Sequence, residues 1–348
     1  MRWYSLTISD PNSGFVYKPD PNGRDSGFTV SPGGATFTST VTINGQTVNN
    51  PGALNIEFDL AVYPWHTAQG GSVIRVWGVG LKMIGQASNL NGKNFALSAG
   101  MMKGLPLANP AQAGLIVQGQ IYQAFGNWQG TQQSLDLIGN PGGLDPANGI
   151  SFTWLPGVPL ATALASTFAQ AFPGYSQSIK ISSSLLPPNN AAQYGTYASL
   201  EQFASYIQQI TQPIGAQFAG PNYPGVQITV VGNTITALDT TVATKTVQLA
   251  FQDLIGQPTW IGPATVNFKT VLRADIQIGT QVIFPQGVIA PYALTSSKAA
   301  VPNAPSRSKT VFQGSFTVNE VHHFANFRQA DADSWNTTFN AVVSGGAG

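Results

Sequence analysis

The sequence predicts a mainly β fold in which two antiparallel β-barrel halves flank a small α/β insert. Three observations predict it. Period-two runs bounded by turn pairs fill both ends of the chain, a four-residue period replaces them in the middle, and the two β-rich ends carry a similar order of motifs. The expected boundaries are 1–150 for the first barrel, 151–225 for the insert and 226–348 for the second barrel, with a loop at 293–310.

The first third reads as short strands. Met1 to Ile8 alternates, and Thr36 to Ile43 alternates and ends at Asn44-Gly45, a preferred hairpin pair because both residues tolerate positive φ. Ser72 to Val79, Asn94 to Leu97 after Asn91-Gly92, Gly114 to Ala124 and Ser134 to Ile138 continue the pattern. From Leu160 the period changes: Leu160, Leu164, Phe168 and Phe172 form one helical face that stops at Pro173-Gly174. A second helix is capped by Ser199 with Gln202 three residues on, carries Leu200, Phe203, Ala204, Ile207 and Ile210 on its apolar face, and is expected to stop before Pro213. Strands return at Val226 to Val231 and Thr234 to Leu238, joined by Gly232-Asn233, then at Val266 to Leu272, Gln281 to Phe284, Phe312 to Val321 and Trp335 to Val343.

The two β-rich ends echo one another. Val117-Gln118-Gly119 matches Phe312-Gln313-Gly314, and each match is followed by alternation, a polar turn bearing aromatic residues and a final strand. If these are two copies of one barrel, a trimer places six similar barrels around an axis.

Composition points to assembly. Charged residues are 8% of the chain, about a third of the usual share, while Gly (38) and Pro (24) are abundant. Uncharged polar groups need only hydrogen bonds when a large interface is buried, whereas charges need partners. A formal net charge of +1 excludes a polyanion-binding surface over the whole protein. With no Cys, disulfides, Cys-ligated zinc and thiol catalysis are excluded. No run approaches the roughly 18 apolar residues of a spanning helix, and the first residues lack the pattern of a signal peptide, so folding in the cytoplasm is expected.

Catalytic chemistry finds few residues. His occurs only at 66, 322 and 323, and neither a Gly-x-Ser-x-Gly elbow nor a His-Glu-x-x-His helix is present. Gly85 to Asn94 imitates a phosphate loop with the wrong spacing, and a hairpin turn explains it better. His322-His323 with Asp331 and Asp333 is the sharpest metal hypothesis, but adjacent strand residues face opposite ways, so a structural role is preferred. Glu57 and Asp59 share one strand face, as a glycosidase pair would, and their spacing also fits an ordinary polar face. Trp128 and Trp335 fall in corresponding turns, where they suit packing or sugar stacking. Lys269 and Arg273 share a face if alternation holds, as basic residues lining a lumen would; solvent exposure is the other reading. Lys298, Arg307 and Lys309 sit in the 293–310 loop, which is either a partner contact or solvated. No cofactor is expected.

The residues also resemble a known family. Leu254-Ile255-Gly256-Gln257-Pro258, Val266 to Leu272 and Ile276 to Val282 are similar to the "IGxP", "VxFx(S/T)LL" and "IxxGxxV" elements of baseplate hub proteins of phages and phage-derived machines. Phe316 to His323, Asn326 and Ser334 to Thr338 resemble the closing strand pair of that family, with His323 and Trp335 matching best. Gly256, Pro258, Gly279, Val282, Gly314, His323 and Trp335 are the matching structural positions. The first half agrees more loosely, at Ile56 to Asp59, Ile74 to Trp77, Leu97 to Met101 and Gly119 to Ile121. Met101 stands where an aromatic is usual, and the 293–310 loop is an insertion. The resemblance implies two tube-like barrels per chain, a non-enzymatic homotrimer forming a pseudo-hexameric ring, and a virion location in the tail baseplate after assembly in the host cytoplasm. It implies as partners the tail tube protein, the central spike, the tape-measure protein and other baseplate proteins, with DNA only in transit and no membrane. A carbohydrate-binding or cell-wall-cleaving tail component, or a tail-tube or connector protein, are the alternative readings.

Overall fold

The computed structural model describes residues 1–20, 27–64, 72–102, 109–140, 149–220, 223–231, 234–242, 245–262, 264–285, 312, 314–331 and 333–344. His66, Gly232-Asn233, Gln313 and the basic loop residues Lys298, Arg307 and Lys309 lie outside them. The mainly β expectation holds.

The first half contains β1 (Arg2–Ser9), β2 (Val16–Pro19), β3 (Phe28–Ser31), β4 (Phe37–Thr38), β5 (Thr40–Ile43), β6 (Gln46–Asn49), β7 (Asn55–Val62) and β8 (Ser72–Trp77). It continues with helix α1 (Leu81–Gly85), β9 (Asn94–Met101), β10 (Gly114–Gln129) and β11 (Gln132–Asn140). The hairpin β5–β6 turns on Asn44 and Gly45 with φ of 50° and 76°, the two positive values a tight hairpin requires.

The insert holds β12 (Ile150–Trp154), α2 (Leu160–Ala171), β13 (Ser176–Lys180), β14 (Gln193–Tyr197), α3 (Leu200–Ala219), β15 (Gln227–Val231) and β16 (Thr234–Leu238). Two corrections arise here. The β15–β16 hairpin, assigned by sequence to the second barrel, pairs through β16 in parallel with β13, and Val226, Ile228, Val230, Ile235 and Ala237 complete the insert's own core with Phe152, Trp154, Phe168 and Phe203. The insert therefore extends to about residue 238. Helix α3 also runs through Pro213 instead of stopping before it. Pro213 lies on the exposed side, and the buried Thr211 ties the turn down by donating to the Ile207 oxygen at 2.6 Å and accepting from Val226 N at 2.8 Å.

The second half comprises β17 (Thr246–Gln248), β18 (Thr259–Trp260), β19 (Thr265–Val271), β20 (Gln281–Ile283), β21 (Ser315–Asn326) and β22 (Trp335–Val343). Both halves belong to one sheet of order β18-β19-β22-β21-β7-β8-β11-β10-β9-β1-β2-β3. Its inner face covers two apolar cores, one around Leu6, Phe58, Ile74 and Leu137, the other around Phe268, Val282, Phe316 and Phe339.

The internal echo has a counterpart in strand order. In the first half the order is β7-β8-β11-β10-β9, and in the second β18-β19-β22-β21-β20. Register makes the equivalence residue by residue: the row Ala124, Leu137, Ile74 corresponds to Val321, Phe339, Phe268, and the step from Val73 to Asp59 corresponds to that from Asn267 to Thr259. A bulge interrupts both hairpins at the same place, between Ile121 and Gln123 against β11 and between Val318 and Glu320 against β22. Gln118–Gln120 on β9 matches Ser315–Thr317 on β20, so Gln118 corresponds to Ser315, two positions from the Gln-Gly match in the sequence. The halves differ at the next strand, where β1 meets β9 antiparallel but β17 meets β20 in parallel.

Candidate assembly site

The two modules meet where β7 of the first pairs with β21 of the second, in register from Glu57 opposite Asn326 to Val62 opposite Val321. Alternation on these strands separates an apolar inner face from a polar outer one.

On the outer face, polar side chains bridge strand to strand across the joint. Asn326 Nδ2 donates to Glu57 Oε1 at 2.7 Å, and His322 Nε2 lies 2.5 Å from Asp59 Oδ1. Further into the first module Arg75 makes a bidentate pair with Asp136 at 2.5 and 3.1 Å, and Asn127 donates to the same carboxylate at 2.6 Å. Asp136 is 1% exposed, and its carboxylate raises the Arg75 pKa through the direct hydrogen bond. In the second module Asn267 donates to Asn340, which donates to Glu320, at 2.7 and 2.6 Å. Glu57, Asp59, Val73, Arg75, Phe324 and Asn326 line a shallow depression on this face.

On the inner face the joint is closed by Trp335. Its ring meets Phe58 and Phe327 edge-on with centroids 5.9 and 6.1 Å apart, and the Arg2 guanidinium lies 5.5 Å from its centre. Arg2 also donates to the carbonyl oxygens of Asn326, Gln329 and Asp331, so the first strand of the chain clamps the turn between β21 and β22.

The matching family positions fall as follows. His323 is 3% exposed beside Leu60, with Nδ1 2.9 Å from Thr337 Oγ1, and burial pushes its pKa down to about 3. Val282 is fully buried in β20; Gly279 has φ of 83°, its N donates to Val318 O at 2.7 Å, and a Cβ there would press on Leu238. Gly256 and Gly314 have φ of 77° and 98°, and Pro258 immediately precedes the edge strand β18, a place where a missing N–H costs nothing to the ladder. The structure thus brings His323 and Trp335 to the joint and leaves Gly256 and Pro258 at the far edge.

Three expectations are corrected. Lys269 and Arg273 do not share a face: alternation ends with β19 at Val271, and Arg273 turns inward, 3% exposed, gripping Asp275 with two 2.7 Å bonds while its Nη1 lies 3.8 Å from Asp253. Lys269 stays on the outer face, paired with Asp333 at 2.8 Å. Trp128 and Trp335 are not equivalents either: Trp128 ends β10 and is 63% exposed, whereas Trp335 opens β22 and is 2% exposed. His322 and His323 do face opposite ways, but the Asp that His322 meets is Asp59 on β7; Asp331 and Asp333 are engaged at the turn and with Lys269. Among the described residues no group of three or more metal-ligating side chains forms.

Sequence reasoning missed Arg2, Arg75, Asp136 and the β7–β21 joint. Asp136 carried a usable signal, since a carboxylate inside the apolar run Ser134 to Ile138 demands a partner.

No family model and no curated protein matches the sequence. Several solved structures are similar at low identity. The prophage MuSo2 43 kDa tail protein from Shewanella oneidensis is 7% identical with a TM-score of 0.48, over 88% of this chain and 98% of that one. The c3393 protein of E. coli, described as a type VI secretion system component similar in structure to T4 bacteriophage tail proteins gp27 and gp5, is 10% identical with a TM-score of 0.44, over 83% of this chain and 73% of that one. A tail protein from Neisseria meningitidis MC58 is 9% identical with a TM-score of 0.41, over 88% and 96%. These structures are described as tail proteins and as a secretion-system component.

Proposed function

We propose that the chain is a structural, non-enzymatic hub of a phage tail baseplate. In this reading three copies close into a ring of six equivalent sheet modules that joins the tail tube to the central spike and leaves a channel for the tape-measure protein and then DNA. The observation that carries it is the pair of register-equivalent modules in one chain, joined edge to edge by β7 and β21. Two modules per chain turn a three-fold assembly into a six-module ring, which a junction between six-fold and three-fold parts needs. A tube or connector protein has no such need for two modules. A cell-wall-cleaving role is disfavoured, because Glu57 and Asp59 are engaged by Asn326 and His322 on an open face. Further expected contacts are other baseplate proteins, and the expected location is the virion tail, assembled in the host cytoplasm. Among the described residues no helix is long and apolar enough to cross a membrane.

Light scattering and electron microscopy of the purified chain at rising concentration test this. Ring-shaped particles with three-fold symmetry are expected. Peptidoglycan turnover that disappears in Glu57→Gln, or a stable monomer that binds glycan, would overturn the reading.

A further inference from the structure

Strand β21 is covered along one edge by two strands in succession. β20 pairs with Ser315–Thr317, and β7 pairs with Val321–Asn326. Among the described strands its equivalent, β10, is covered on that edge by β9 alone, which ends at Gln120 opposite Asn94; beyond it Ile121 bonds to Gly92 and Lys93, and Ala124 N donates to Asn91 Oδ1 at 2.7 Å. From Phe125 to Gln129 no described strand pairs with the edge, and Phe125 (37%) and Trp128 (63%) are exposed along it. At the other end of the sheet path β18, the equivalent of β7, pairs among the described strands with β19 alone and exposes Trp260 (40%) and Ile261 (56%). Each module thus has both halves of the same joint, and one joint of the two is made.

We infer that a second copy of this chain completes the other joint by laying its β18 edge along the outer stretch of β10, repeating between copies the β7–β21 pairing found within one. The inference rests on the ring reading and assigns its interface. The made joint sets the register. Leu60 faces His323, Asp59 faces Phe324 and Ala61 faces His322, so Trp260, Thr259 and Ile261 of one copy face Gly126, Asn127 and Phe125 of the next. Where the inner joint sets a leucine against a histidine, the outer one sets a tryptophan against a glycine whose side-chain place is taken by Ile84 of α1, since a Cβ on Gly126 would lie 2.8 Å from Ile84 Cα. Trp260 of the second copy would then lie against Ile84. Trp260 rests one face on Phe312, with centroids 5.5 Å apart and rings 16° from parallel. Ile261 meets exposed Phe125, and two unpaired edges, which otherwise template aggregation, disappear.

The chain has no cysteine, which makes cross-linking clean. Six strands separate β18 from β10, about 30 Å at the usual spacing, so a bond between thiols on the two cannot form within one copy. The full chain carrying Asn127→Cys with Thr259→Cys is oxidised mildly beside each single variant, with Phe125→Cys plus Ile261→Cys as a second pair because Asn127 also holds Asp136. Facing residues in an antiparallel ladder sit within disulfide reach. The expected result is a cross-linked series that ends at a closed species, absent from the single variants, and at least tenfold weaker self-association for Trp260→Asp. A chain that oligomerises by light scattering but links at neither pair, while Val30→Cys on β3 links to Thr259→Cys, overturns the inference and leaves the ring standing. A chain that stays monomeric at every concentration overturns both.

Discussion

Trp335 Nε1 donates a 3.2 Å hydrogen bond to the carbonyl oxygen of Gly100, joining the start of the last strand to the end of β9 in the other module. The β7–β21 ladder between the modules is therefore reinforced by this indole, seated among Phe58, Phe327 and Arg2, and by Gln112, which bonds to Asp253 and to Ala274 N. Gly100 is itself held by Ala113, whose Cα lies 2.6 Å from where a Cβ would fall, and has φ of 151°.

Replacing Trp335 with Ala removes this plug and leaves a cavity between the modules. A loss of about 3–5 kcal/mol is expected, the range for truncating a buried Trp. Urea unfolding measures it, and Trp335→Phe should recover most of the packing but not the bond to Gly100.

The pair Arg75 and Asp136 should respond unequally to mutation. Asp136 is 1% exposed whereas the Arg75 side chain is 39% exposed, so removing the arginine strands a buried carboxylate, while removing the acid lets the guanidinium turn to water. Arg75→Met is expected to cost roughly 2–4 kcal/mol and Asp136→Asn about 1 kcal/mol. The double variant Arg75→Met with Asp136→Leu should lie nearer wild type than Arg75→Met alone. Equal single losses in thermal unfolding would show that burial is not what separates them.

Much of this architecture was legible because hydrophobic alternation and turn pairs report local geometry. The Asn44-Gly45 hairpin, the Ser199 cap, which accepts from Gln202 N at 3.3 Å, and the face of α2 all follow from neighbours in sequence. The joint did not, because Asp59 and His322 are 263 residues apart and alternation names a face without naming the strand beside it. The duplication was only half visible for a related reason. Inner-face equivalents such as Leu137 and Phe339 stay apolar, but outer-face ones such as Asn127 and Phe324 are free to diverge. Arg273 was misread because alternation was carried past the end of β19, into a turn that reverses the side chain toward Asp275.

His323 makes stability depend on pH. In the folded chain its pKa is about 3 against an ordinary 6.5, first through burial and then through His322, so the proton binds only when the chain unfolds. Stability is fully present above about pH 6.5 and is lost as pH falls toward 3, by roughly 1.4 kcal/mol per pH unit for one proton. The interval from pH 6 to 5 keeps clear of the lowered carboxylates Asp10 and Asp331, which act only at lower pH, and the His323 variant separates it from the other histidines. Urea midpoints across that interval should fall for wild type and flatten for His323→Gln, whose amide keeps a partner for Thr337. Matching slopes would assign the dependence to another group.

The insert supplies a final test, because its boundary decides whether its core is whole. Its buried residues pack on one another, with the Phe203 ring centroid 5.3 Å from those of both Phe152 and Tyr197. A fragment of residues 149–240 retains β15 and β16 and should fold alone with cooperative thermal unfolding. One ending at 225 loses Val226, Ile228, Val230, Ile235 and Ala237 and leaves β13 without its sheet partner. Five apolar side chains at about 1.5–3 kcal/mol for each large one exceed the net stability of a small domain, so this shorter fragment should stay unfolded by circular dichroism. If both fragments unfold with the same midpoint, the hairpin contributes nothing to the insert and the boundary belongs at 225.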